Sequence, residues 1–195
     1  MDSIIRMVVV LTILSGTGAG TLAAVKNITA DKIEEQQLKF EKAPAVRSIL
    51  EESSLDPVDN RFKVEGPDGR LITVFPGVME ETKVVAIEAF GKGFSGDVGL
   101  MVGIDIETGR ITRARVTTHT ETPGFGSKAK ESTRFVSQLD DRGFDAALAV
   151  RKDGGEIDSI SGATITSRAV CVAAAEAGKL YETVADKIKE KAESL

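Results

Sequence analysis

The sequence is poor in the residues that most often carry metals, clusters or disulfides. Its 195 residues include no Trp, one Tyr, one His and one Cys. The single cysteine, Cys171, excludes both an internal disulfide bond and an iron–sulfur cluster held by cysteines of this chain alone. One His and one Cys cannot supply the four ligands of a structural zinc site. We therefore expect no metal site, and we interpret Cys171 as a small buried apolar residue on a helix.

The sequence also lacks an excess of basic residues. Its 25 Lys and Arg stand against 30 Asp and Glu, which gives a formal net charge of -5 at pH 7. A nucleic-acid-binding surface needs a positive patch, so we expect no nucleic-acid partner. The hydrophobic fraction of 42% is ordinary for a chain with a core. The length suits one globular domain and an extension.

A long uncharged run stands near the N-terminus. The segment Met7–Val25 is rich in Val, Leu and Ile, and its roughly 19 residues would span about 28 Å as a helix, close to the thickness of the bilayer core. A cleaved signal peptide is the alternative, because Arg6 gives a positive start and small residues surround Ala23 and Ala24. The run is longer than the apolar core of about 7–15 residues in a signal peptide, which favours a retained transmembrane anchor.

The position of the charges indicates how the chain is oriented. Arg6 precedes the apolar run, so the positive-inside rule favours a cytoplasmic N-terminus. We expect a single-pass protein of the cell (inner) membrane whose soluble domain lies on the extracytoplasmic side. The predicted division is a transmembrane anchor at residues 1–26, a helical linker at 27–56 and a folded domain at 57–195. Pro44 should break or kink the helix of the linker.

Apolar segments between turns predict a mostly antiparallel sheet. Residues Gly99–Ile106 and Ile111–Val116 alternate apolar and polar or small side chains around a Thr108-Gly109 turn, which is typical of a hairpin. Three earlier segments rich in Val, Ile and Phe predict further strands. These segments are Phe62–Val64, Leu71–Phe75 and Val84–Phe90.

The remaining pattern is helical. Residues Ser127–Leu139 predict a helix, and the segment from Arg168 onward predicts a long amphipathic one. Phe144–Val150 is interpreted as a strand, although Ala146 and Ala147 would also suit a helix. The fold class is therefore α+β, in which an N-terminal transmembrane helix is followed by one domain whose sheet is packed by the 127–139 and 168–190 helices.

The segment 158–167, read DSISGATITS, concentrates hydroxyl side chains before the last helix. Ser161, Thr164, Thr166 and Ser167 lie close together beside small residues. Hydroxyls and free backbone N–H groups at a helix N-terminus can bind a phosphate. The alternative is an ordinary helix cap, because Ser and Thr favour that position in any protein.

A second run, HTETPGFG at residues 119–126, ends the hairpin. Pro123-Gly124 predicts a turn, and Gly126 would let the backbone approach a planar ligand. Phe125 offers an apolar face, and the preceding residues offer polar groups. The alternative is a simple strand-ending turn, because Pro-Gly is a common turn dipeptide. His119 lies beside the turn, and we interpret it as structural rather than catalytic.

Together the two runs resemble a known family. The D-x-x-S-G-A-T run resembles the flavinylation motif of the FMN-binding domain in RnfG, a component of the Rnf electron-transport complex. A related component of the sodium-translocating NADH:quinone reductase, NqrC, carries a similar motif. The E-T-P-G-x-G run resembles the segment that lies over the flavin ring in the same family. The two runs are about 40 residues apart, as they are in the family. Two matches at this separation are far less likely to arise by chance than either match alone.

The resemblance implies a set of site residues. FMN would be joined through its phosphate to Thr164 by a phosphoester bond, and Asp158 would be the acidic residue that the flavin transferase requires. Independently of the resemblance, a phosphate there would attract a cation, and we expect Arg168 or Lys128 to provide it; the sequence does not decide between the two. The other cofactor-binding residues would be Ser161, Gly162, Ala163, Thr166, Ser167, Glu121, Thr122, Gly124 and Phe125.

The resemblance also implies a function. The chain would be the covalent-FMN electron-transfer subunit of a membrane-bound, ion-translocating oxidoreductase of the Rnf type. It would have no catalytic residue and no substrate turnover of its own, and its partners would be the other subunits of the complex and, during maturation, the flavin transferase. The alternatives are the NqrC component of the sodium-translocating NADH:quinone reductase, or a non-catalytic anchored binding domain outside the cytoplasm.

Overall fold

The computed structural model describes residues 2–51, 53–66, 69–79 and 82–193. The chain divides into two compact units, residues 1–40 and residues 41–195. The first unit contains most of the apolar N-terminal run, and the second contains the sheet and the remaining helices.

The N-terminal unit is formed by one helix. Helix α1 extends from Asp2 to Gln37 and includes the predicted anchor residues that the structure describes and the first part of the predicted linker. Its segment Ser3–Ala30 has 28 residues and is long and apolar enough to cross a membrane. At 1.5 Å per residue it measures about 42 Å, more than the roughly 30 Å of a bilayer core. Its apolar side chains are exposed, as an anchor in lipid requires.

A π-helical turn at Leu38–Lys42 and the short helix α2 follow. Helix α2 extends from Ala43 to Ile49 and has Pro44 in its first turn. Proline suits that position because its missing N–H would have no partner there in any helix. The regular helix is therefore interrupted just before Pro44, as predicted, and a second helix starts at Ala43.

The domain is organised around a five-stranded sheet with strands in chain order, β1-β2-β3-β4-β5. Every neighbouring pair is antiparallel, which confirms the predicted sheet. The β4–β5 hairpin has the predicted turn, with Gly109 at a φ of 66°. The strands are β1 Phe62–Glu65, β2 Leu71–Met79, β3 Thr82–Lys92, β4 Asp97–Asp105 and β5 Ile111–Val116.

Helices cover both faces of the sheet. The last helix, α5, extends from Thr164 to Glu193 and packs its alanine-rich face against β3 and β4. Contact is close because Gly91 of β3 has no side chain: a Cβ there would lie 1.9 Å from the backbone oxygen of Ala169. On the other face, Ile49 of α2 occupies the space above Gly103 of β4. Apolar side chains of the sheet are thus buried on both sides.

Two sequence predictions for the region between β5 and α5 are wrong. The predicted helix Ser127–Leu139 is broken into α3 (Lys128–Glu131), α4 (Thr133–Val136) and a 3₁₀ turn at Ser137–Leu139. The break falls at Ser132, whose backbone is extended and whose side chain caps α4 by accepting the N–H of Phe135. The predicted strand Phe144–Val150 is irregular apart from a single bridge between Val150 and Ile157.

We predict that Gly91→Ala destabilises the domain. The new Cβ would overlap the backbone of α5, so helix and sheet must separate, and overpacking of this kind costs about 1–3 kcal/mol. Urea unfolding of the full chain in detergent, followed by circular dichroism, measures the change. Gly18→Ala is the control, because a Cβ at Gly18 meets no atom within 4 Å. Equal stability of the Gly91 variant and the parent would contradict this packing.

Candidate functional site

The start of helix α5 lacks a side-chain cap. The first helical hydrogen bond runs from the N–H of Ser167 to the carbonyl of Ala163 at 2.9 Å. This bond places alanine at the capping position, where Ser, Thr, Asp or Asn would normally accept an N–H. The N–H groups of Thr164, Ile165 and Thr166 therefore have no acceptor among the residues that the structure describes. The ordinary capping interpretation of DSISGATITS is not what the structure shows.

The loop before α5 is held from inside the protein. The buried hydroxyl of Ser167 accepts the N–H of Ile160 at 3.0 Å and donates to the carbonyl of Ala163 at 2.9 Å. Gly162 has a φ of 78°, a left-handed conformation that glycine adopts without strain. These features fix the turn and leave Thr164 half-buried at the first helical position.

A cavity of about 520 Å³ lies at this end of α5. Its volume is within the range of about 300–1,000 Å³ that is typical of cofactor sites. Its walls come from Phe94, from the turn that begins at Glu121, from Lys152, and from residues 162–166 at the start of α5. The two motifs singled out in the sequence therefore face one cavity.

The 121–126 turn forms one wall of the cavity. Gly124 has a φ of 77°, and its N–H donates to the hydroxyl of Ser127 at 2.9 Å. The turn projects the ring of Phe125, which is 60% exposed, to within about van der Waals distance of Gly162 on the opposite wall: a Cβ at Gly162 would lie 3.5 Å from that ring. An open aromatic face is thus available beside the start of α5.

Glu121 connects three segments of the site. Its carboxylate is only 6% exposed. One oxygen accepts the backbone N–H of Ser95 at 2.8 Å, and the other accepts the hydroxyl of Thr166 in a short hydrogen bond. Added Cβ atoms at Gly93 and Gly126 would lie 2.7 Å and 2.6 Å from the two carboxylate oxygens, so glycine is required on both sides of the carboxylate. A buried carboxyl group needs such partners.

The charged residues around the cavity are largely paired with one another. Arg168 makes a two-pronged ion pair with Asp153, at 2.6 Å and 2.7 Å, which lowers the pKa of Asp153 and raises that of Arg168. Arg151 pairs with Asp158 at 2.5 Å. Of the residues that line the cavity, Lys152 is the only cationic one. The two residues predicted to provide a cation, Arg168 and Lys128, do not line the cavity.

The backbone of Asp158 is held by the side chain of Gln138. The Gln138 amide accepts the N–H of Asp158 at 2.7 Å and donates to its carbonyl at 3.2 Å. The Asp158 carboxylate, in contrast, is 68% exposed outside the cavity. The motif acid is therefore presented to solvent on a fixed backbone.

The predicted site residues fall into two groups, those that line the cavity and those that do not. Four residues belong to the second group: Ser167 is buried, Ser161 is exposed, and Gly124 and Asp158 are placed as described above. His119 also lies outside the lining, with Nδ1 buried and without a hydrogen-bond partner. The lining group consists of Thr164, Gly162, Ala163, Thr166, Glu121, Thr122 and Phe125.

Two lining residues that lie outside both motifs, Phe94 and Lys152, were missed by the sequence analysis. Phe94 lies in the glycine-rich loop between β3 and β4, where it is 73% exposed. That loop is closed by a hydrogen bond from the N–H of Gly93 to the carbonyl of Gly96 at 2.8 Å. Lys152 lies in a 3₁₀ turn at Arg151–Asp153. In a sequence, a single phenylalanine in a loop and a lysine beside a turn do not by themselves indicate a binding site.

Comparison with known proteins identifies the domain family of the region that contains the cavity. The FMN-binding domain family matches residues 93–179, which contain every lining residue. The G subunit of the ion-translocating oxidoreductase complex from Pseudomonas aeruginosa (strain UCBPP-PA14) is 30% identical over 193 residues, covering 92% of this chain and 89% of the relative. Its counterpart from Escherichia coli (strain K12) is 32% identical over 196 residues, with 90% of each covered.

Solved structures are more distant. The C subunit of the Na(+)-translocating NADH-quinone reductase from Parabacteroides distasonis has a TM-score of 0.47 and 22% identity, covering 62% of this chain and 63% of that one. NqrC from Shewanella oneidensis has a TM-score of 0.44 and 22% identity, covering 67% and 60%.

The site and the family match define an FMN-binding domain protein. Given its identity to curated relatives over most of both lengths, the chain belongs to the family of G subunits of ion-translocating oxidoreductase complexes.

We predict that the contact between Glu121 and Thr166 stabilises the domain. In a double-mutant cycle of Glu121→Leu and Thr166→Val, the coupling free energy of unfolding should be about 1–3 kcal/mol, because each single change leaves a buried polar group without its partner. Chemical denaturation of the four proteins measures it. The exposed pair Glu176 and Lys179 serves as the control and should couple by less than about 1 kcal/mol. A coupling near zero at Glu121 would contradict this role.

Proposed function

We propose that this chain is the FMN-bearing electron-transfer subunit of a membrane-bound, ion-translocating oxidoreductase, with FMN joined through its phosphate to the hydroxyl oxygen of Thr164. The observation that carries the proposal is the uncapped N-terminus of α5 at a cavity matched by the FMN-binding domain family. The covalent bond to Thr164 and the roles of the individual residues are part of the proposal.

The phosphate fits the start of α5. Three N–H groups of the first turn have no acceptor within the described part of the chain. The partial positive charge of a helix N-terminus favours an anion there by about 0.3–1 kcal/mol. Ala163 has no side-chain oxygen that would occupy these donors. Thr164 is the first helical residue and lines the cavity, so its hydroxyl lies among the same donors.

The ring system fits the other wall. Phe125 and Phe94 are both largely exposed at the cavity, and each offers an apolar aromatic face to a planar ligand. Thr122 adds a polar group, while Gly162 and Gly126 keep the backbone accessible. These residues would hold the isoalloxazine ring, and Glu121 would fix the positions of the segments that carry them.

FMN supplies the redox chemistry when bound, and the protein supplies binding and orientation. The residues present suit an electron carrier. The carboxylate of Glu121 is committed to two structural hydrogen bonds and is not available as a general base. We therefore expect no substrate turnover by this chain alone. Electrons would pass between FMN and partner subunits of the complex.

Maturation and membrane attachment complete the proposal. A flavin transferase would attach FMN to Thr164 and recognise Asp158, whose exposed carboxylate on a fixed backbone suits contact with another protein. Residues 1–26 would be the anchor, 27–56 the helical linker and 57–195 the FMN-binding domain. The domain would lie on the extracytoplasmic side, where a covalent tether prevents loss of the cofactor.

We predict that Thr164→Ala abolishes covalent flavin and leaves the fold intact. The change removes the one hydroxyl oxygen that would carry the phosphate, and Thr164 makes no side-chain hydrogen bond that supports the described part of the domain. Protein made with the flavin transferase present is separated on a denaturing gel and examined for flavin fluorescence. Thr183→Ala is the matched control, because it removes an exposed hydroxyl from the same helix. Full fluorescence in the Thr164 variant would refute the assignment.

A further inference from the structure

The loop between Val150 and Ile157 contributes Lys152 to the lining of the cavity, and its backbone is held in place by several contacts. Val150 and Ile157 are joined by a parallel bridge, and the N–H of Arg151 donates to the carbonyl of Ile157 at 2.9 Å. Gly155 lies against the backbone of Ala149, where a Cβ would come within 2.0 Å of the carbonyl oxygen. The backbone between these points is therefore held in one place.

Three consecutive side chains of this loop are directed to three different parts of the site. Arg151 pairs with Asp158 of the motif, and Asp153 pairs with Arg168 of α5. Lys152, between them, lines the cavity. The two flanking ion pairs attach the loop to the segments before and after Thr164, so they fix the point from which the Lys152 side chain extends.

Lys152 is also the cation that remains available. Arg151 and Arg168 each have a carboxylate partner within 2.6 Å. Lys152 makes no ion pair or hydrogen bond with the residues that the structure describes. A cation and the positive end of a helix face the same cavity, and an anion between them would be attracted by both. Glu121 is also among the lining residues, and its negative charge near the cavity would oppose an anion unless a cation offsets it.

Resting on the proposed function, we propose that Lys152 binds the phosphate of FMN. Its ammonium group and the free N–H groups at residues 164–166 would hold the phosphate from two sides. This would hold the phosphate beside Thr164 and offset the negative charge of the phosphoester.

The test compares ligands that differ only in the phosphate. Full-length protein made without flavin transferase is titrated with FMN and with riboflavin, and binding is followed by flavin fluorescence. Lys152→Gln should raise the dissociation constant for FMN about tenfold, equivalent to about 1.4 kcal/mol, and leave that for riboflavin unchanged. Lys152→Arg should keep most of the affinity because it keeps the charge. Added salt should weaken FMN binding more in the parent than in Lys152→Gln.

The rate of covalent loading is the second measurement. With the flavin transferase present, Lys152→Gln should incorporate FMN several-fold more slowly than the parent, and Lys152→Arg should load at a rate close to the parent's. This measurement decides the question if non-covalent binding to the parent is too weak to titrate. Lys189→Gln, which removes an exposed lysine far along α5, is the matched control and should load normally.

Two results would overturn the role of Lys152 and leave the proposed function standing. One is unchanged FMN affinity and unchanged loading in Lys152→Gln. The other is an equal loss of affinity for FMN and riboflavin, which would show contact with the ring or a general disturbance. Failure of the proposed function has a different signature, because the parent itself would then remain unmodified at Thr164 after exposure to the transferase.

Discussion

The site depends on where helix α5 begins. Its first hydrogen bond ends on the carbonyl of Ala163, and alanine offers no oxygen to the N–H groups that follow. A protein that needed only a stable helix would place Ser, Thr, Asp or Asn there, because each caps the helix better than alanine. The chain contains hydroxyl residues on both sides of Ala163, and one of the two buried ones, Ser167, holds the preceding loop. The donors at the helix start are left without an acceptor among the residues that the structure describes.

The position of that helix start is fixed by packing and by one buried carboxyl group. The alanine face of α5 and Gly91 of β3 allow helix and sheet to approach until the backbone of one touches the other. Glu121 then connects the first turn of α5 to the loop at Ser95. Because these contacts are short and buried, the cavity walls do not depend on flexible surface side chains.

The sequence predicted the sheet well because its signals are local. Alternating side chains and the Thr108-Gly109 turn define the hairpin without knowledge of the rest of the fold. The helix predicted at Ser127–Leu139 failed because the side chain of Ser132 caps a new helix from an extended backbone, which apolar periodicity does not reveal. Phe144–Val150 had strand-like residues but lies beside no neighbouring strand that could complete a ladder among the residues that the structure describes.

The candidate site was predictable where motifs carried it. Thr164 and the 121–126 turn could be found because both resemble a family pattern, and the structure places them at one cavity. The cation could not be chosen in this way. Arg168 is close to the motif in sequence, but its guanidinium forms an ion pair with Asp153. That ion pair exists only in the folded chain. Phe94 is likewise brought to the site by the β3–β4 loop, which is distant in sequence from both motifs.

The most direct measurement of the central claim is peptide mass spectrometry on protein matured with its flavin transferase. Trypsin should release a peptide from Asp153 to Arg168, which contains every hydroxyl residue of the motif. The account predicts a mass increase equal to one FMN less one water, and fragmentation should place it on Thr164. An unmodified peptide, or FMN located on a different hydroxyl, would contradict the account.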